Sequence, residues 1–134
     1  MKTLTGLIMM LLIWGVTEGF TQNSQPEQFL DQATKTYLWS LGSENHGVRN
    51  STILCIVQFK KRYPEIDFGS FVKKLQKISQ TDPYLPNRMH AQLAIICLEQ
   101  TDIMASVDPN QFEDPKMFFN VIYEKLSGQR FVLK

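Results

Sequence analysis

The chain has 134 residues, enough for one domain, and its 14 Lys and Arg nearly balance 13 Asp and Glu, for a formal charge of +1. Such a balance gives no reason to expect nucleic acid as a partner. Two histidines and two cysteines leave little material for metal or thiol chemistry.

Residues 1–19 read as a signal peptide. Lys2 supplies a positive start, residues 6–16 form an apolar stretch of leader length, and Thr17 and Gly19 place small residues before a plausible cut. Gln22 is an alternative end of the leader. The apolar stretch falls short of the roughly 20 residues that a spanning helix needs. The expectation is export, to the periplasm or the extracellular space, with no stable membrane insertion after cleavage. Residues 20–134 are then the mature domain, and its formal charge is unchanged because Lys2 and Glu18 leave together.

A first helix is predicted over 26–41. Ser24 and Glu27 fit a capping box around Pro26, and Gly42 is a natural stop. Leu30, Ala33, Tyr37, Leu38 and Leu41 form its apolar stripe. A second helix spans about 48–63 and ends before Pro64. Its middle, 53–57, is apolar on every side, which predicts cover on more than one face. Lys60, Lys61 and Arg62 occupy its last turn, where cations complement the helix dipole. Asp67 can cap a third helix over 68–80. Phe68, Phe71, Val72, Leu75 and Ile78 make one narrow stripe, with Lys73, Lys74 and Lys77 opposite. A fourth helix runs from Pro86 to about Glu99 and is apolar all round over 93–98. Residues 101–113 read as a loop with one irregular turn. Asp114 and Pro115 then open a last helix carrying Phe118, Phe119, Val121, Ile122 and Leu126, with Gly128 as its stop. Phe131, Val132 and Leu133 are expected to pack back on the body. No segment alternates like a strand, so the fold class is all-α.

Two stretches echo each other 39 residues apart, one from Val48 and one from Asn87. Arg49 and Arg88 lead them, Thr52 and Ala91 follow three positions later, and a dense apolar run comes next. Repetition at this spacing points to stacked helix pairs that cannot bury their apolar faces alone. The motif from Asn45 through Val48, Arg49 and Thr52 resembles the HEAT-repeat family of helical solenoids. The stretch from Asp82 to Ala91 resembles it with a longer turn and with Asn87 where valine is usual. The resemblance covers about residues 25–100. It implies antiparallel helix pairs in a right-handed stack, with Arg49 and Arg88 in structural roles. Each arginine would reach an acidic or amide group on a neighbouring turn, Asn45 and Asp82 being the local candidates. Two repeats need closure at their open ends. The expected architecture is a compact HEAT-like stack of two helical hairpins plus a C-terminal capping helix at 115–127.

Candidate chemistry is sparse. His46 and His90 form no ligand-spaced pair. Cys55 and Cys97 sit among Ile and Leu, where a thiol packs as a small hydrophobe; export allows a bond between them, and spacing leaves bonded and free states open. No nucleophile elbow or phosphate loop occurs. Asp108, Glu113 and Asp114 lack the spacing of a calcium loop. Asn50, Ser51 and Thr52 match a glycosylation acceptor pattern. No enzyme activity, cofactor or metal is expected.

The reading is a non-catalytic, monomeric, exported module that binds a protein or peptide. Its expected surface is the start of the inner helices, around His46, Arg49, Asn87 and His90. Lys60, Lys61, Arg62, Lys73, Lys74 and Lys77 form a basic cluster, either a solvated face or a dock for an acidic partner. The alternative is a carrier of small apolar ligands, with Tyr37, Phe68, Phe71, Phe118 and Phe119 lining a cavity between helices.

Overall fold

Apolar runs that are too uniform for a surface helix become the inner layer. In the computed structural model, which describes residues 26–132 and side chains from Glu27 to Gly128, the elements are α1 (Pro26–Ser40), α2 (His46–Arg62), α3 (Gly69–Thr81), α4 (Leu85–Glu99), α5 (Thr101–Ser106), a single 3-10 turn (Pro109–Gln111) and α6 (Pro115–Val132). The protein is all-α, with six α-helices and no strand among the described residues. None of these helices is long and apolar enough to cross a membrane. The leader, Ser24 and Leu133 lie outside the described residues.

Backbone packing divides the chain after Lys35. In the first unit, α1 carries an exposed Asp31–Lys35 ion pair at 2.9 Å, and Thr34 Oγ1 donates to the Leu30 carbonyl. The second unit, from Thr36 onward, holds the core. Here α3 and α4 form a close hairpin, α2 lies along α4, and α6 packs on both inner helices. Ile53, Leu54, Ile56 and Val57 of α2 are buried, as are Ala91, Ala94, Cys97 and Leu98 of α4. Phe71, Leu75 and Ile78 are the buried stripe of α3, while Phe118, Phe119 and Ile122 of α6 close the bottom of the layer.

Caps explain where the helices begin. Asn45 Oδ1 accepts from the Gly47 and Val48 N–H groups at 2.8 and 3.3 Å, so α2 starts two residues before the valine. Asp67 and Asp114 do the same for Gly69 and Lys116, at 2.9 and 3.0 Å. The segment expected as a loop holds more order than its composition suggested. It contains α5 and the 3-10 turn, and α2 anchors both: Lys61 Nζ donates to the Met104 carbonyl at 3.1 Å, and Gln58 Nε2 to the Pro109 and Phe112 carbonyls at 3.1 and 3.0 Å. Gly128 does not stop α6, which runs through it to Val132 without a positive φ.

The aromatic residues expected around a ligand cavity make ring-to-ring contacts. Tyr37 meets Phe59 edge-on at 5.4 Å, Phe68 lies 5.5 Å from Phe71, and Phe118 lies 5.0 Å from Phe119. Contacts of this kind add stability beyond the area they bury.

Candidate functional site

The turns before α2 and α4 meet, and a polar cluster joins them. Arg49 grips Asp82 with two parallel bonds, Nε to Oδ2 at 2.7 Å and Nη2 to Oδ1 at 2.9 Å. Its Nη1 donates to the carbonyls of Ser43 and Glu44 at 2.8 and 3.1 Å. The pair is shielded, with side-chain exposures of 11% and 2%. Asp82 Oδ1 also accepts from the Tyr84 N–H at 2.9 Å, and Asn87 Nδ2 donates to the His46 carbonyl at 3.1 Å and to Asp82 Oδ2 at 3.4 Å. Burial pushes the Asp82 carboxyl up, but Arg49, the Tyr84 N–H and Asn87 more than offset it and hold it below its ordinary range. The bond to Asp82 raises the Arg49 guanidinium further.

One helical turn deeper, His90 Nδ1 lies 3.2 Å from Asn50 Oδ1, and its ring stacks on Phe119 at 4.8 Å. Because an amide oxygen only accepts, the bond assigns the proton to Nδ1. Burial lowers the His90 pKa, with Asp114 pulling weakly the other way. Asn50, in the acceptor pattern, is thus engaged within the fold.

Of the four residues expected to form a partner surface, one is exposed. His46 stands at the surface, its ring 4.2 Å from that of Tyr84. Asn87 and His90 are buried, and Arg49 is half-buried and committed to Asp82. They position the surface from below rather than form it: Arg49 bonds Asp82 and the Ser43 carbonyl, Asn87 bonds the His46 carbonyl, and His90 bonds Asn50. The outward side chains are Val48 on α2 and Tyr84, Leu85 and Met89 at the start of α4, with Met89 and Leu85 about half exposed. Sequence reasoning missed these apolar neighbours, although Leu85 and Met89 lie off the buried face of α4.

Arg88 departs from the role given to Arg49. Its Nε is buried and has no hydrogen-bond partner among the described residues. The next acidic turn residue, Asp114, is occupied in capping α6.

The basic cluster divides. Lys60 donates to the Pro64 carbonyl and lies over the Phe68 ring at 4.8 Å, and Lys61 is held by Met104. Lys73, Lys74 and Lys77 instead line an open groove of about 530 Å³ between α3 and the turn after α1. Cys55 and Cys97 are free thiols, not a disulfide. Burial raises both, Cys97 to about 12. Compared with family models, curated proteins and solved structures, the chain matches none.

Proposed function

We propose that this chain is an exported, non-catalytic, monomeric interaction module with a HEAT-like stack, binding a protein or peptide partner through the starts of its inner helices. The observation that carries this reading is the set of exposed apolar side chains Val48, Tyr84, Leu85 and Met89, with His46 against Tyr84, at the helix starts that the shielded Arg49–Asp82–Asn87 cluster joins. Apolar side chains on a rigid support bind with little ordering cost, and aromatic residues are favoured anchors of interfaces. The HEAT-like part rests on the bond from Arg49 to the next turn and on buried Thr52 and Ala91, where the helix starts come close. Export rests on the leader-like residues 1–19. Carriage of apolar ligands has less behind it, since the aromatic rings contact one another.

The test is selection of a displayed peptide library on the purified protein, repeated on a Tyr84→Ala/Met89→Ala variant. Binders enriched on the parent and lost on the variant support the reading, provided circular dichroism is unchanged. Binders that ignore the variant, or none at all, overturn it.

A further inference from the structure

The groove between α3 and the turn after α1 has a chemistry of its own. Its lining includes the buried aliphatic Leu41 and Ile78, the exposed Pro83, and the exposed Lys73, Lys74 and Lys77. Lys74 Nζ donates to the Leu38 carbonyl at 3.2 Å. The ammonium groups of Lys73 and Lys77 have no ion-pair or hydrogen-bond partner among the described residues. Arg49 and Asp82, also in the wall, neutralise each other, and Glu44 is the one remaining acidic residue of the lining. Besides the Arg49–Asp82 pair, three ammonium groups and one carboxylate line a concave, mostly apolar surface.

We infer that this groove docks an acidic peptide segment of the partner, seating one aliphatic side chain on Leu41 and Ile78 with flanking carboxylates on Lys73 and Lys77. This rests on the peptide-binding reading above and names the partner's chemistry. Charge complementarity selects the occupant. The volume suits one or two side chains, and the open mouth lets a chain enter and leave along the surface. An anionic membrane is the poorer match, because a flat lipid surface cannot enter a concave groove.

The probe is a fluorescein-labelled hexapeptide of glutamates flanking two leucines, with a glutamine-for-glutamate control, titrated into the full chain by fluorescence anisotropy. The glutamate peptide should bind about tenfold more tightly than the control, and Lys73→Glu/Lys77→Glu should remove about the same factor. Higher salt should weaken binding. Both lysines are exposed, so the variant should keep its fold, checked by circular dichroism. Lys125→Glu, an equal charge reversal at an exposed lysine outside the lining, should leave this binding within about twofold. Equal binding of both peptides, indifference to the lysine reversal, or a preference for phosphatidylglycerol vesicles over the peptide overturns the inference. Library binders that lack acidic residues and depend on Tyr84 would defeat it while leaving the module reading intact.

Discussion

At Asp82, burial favours the neutral acid while Arg49, the Tyr84 N–H and the Asn87 amide favour the charge, and the charge wins. Removing one partner strands the other in a shielded site. Arg49→Ala should cost about 3–5 kcal/mol in urea unfolding, and Arg49→Met with Asp82→Leu should recover part of it. The pH dependence has two parts. Asp82 is depressed in the folded state, so its contribution is complete above the unfolded value of about 3.9 and disappears as pH falls through the lower folded value. His90 is also depressed, but as a base: the unfolded chain takes up its proton first, so stability declines as pH drops below about 6.5. Unfolding midpoints measured against pH should lose the upper step in His90→Gln and shrink the lower one in Asp82→Asn. Thiol chemistry follows burial. Native Cys97 should resist iodoacetamide at pH 8 while half-buried Cys55 reacts slowly, and urea should equalise them, as read by mass spectrometry.

The helices show how a local pattern becomes a buried layer. Leu54 is buried and Leu93 half-buried, so Leu54→Ala should cost about 2–5 kcal/mol and Leu93→Ala less, by thermal unfolding. Gly128 sits inside α6 with open space where a Cβ would go, so Gly128→Ala should stabilise by about 0.4–1 kcal/mol. Most of this layer was legible. The runs at 53–57 and 93–98 announced inner helices, and Asp67 and Asp114 announced two starts. The acidic stretch at 101–113 was less so: Asp108 and Pro109 cap its 3-10 turn locally, but Gln58 and Lys61 of α2 satisfy its carbonyls from far along the chain, and no local signal encodes that. The site was legible in part. Arg49 and Asp82 stood out by residue type, whereas the burial of Asn87 and His90 depends on α4 lying against α2 and α6. Arg88 shows the limit of the echo, since equal spacing does not supply an equal partner.

Across the body, α6 covers what α2 and α4 leave bare. Phe119 stacks on His90, and Phe118 meets Phe112 at 5.4 Å. A chain ending at Glu113 should lose its near-ultraviolet circular dichroism and cooperative unfolding, and should bind a hydrophobic dye, because two inner helices cannot exclude water by themselves.

The grip of Arg49 on Asp82 joins residues 33 apart in sequence. Such a contact forms only after the intervening chain has already collapsed and the helix starts have found each other. A contact of this separation is expected to form after the folding barrier is crossed and so to act as a latch on the finished molecule. Arg49→Ala should shorten the native lifetime in stopped-flow unfolding and leave the refolding rate almost untouched.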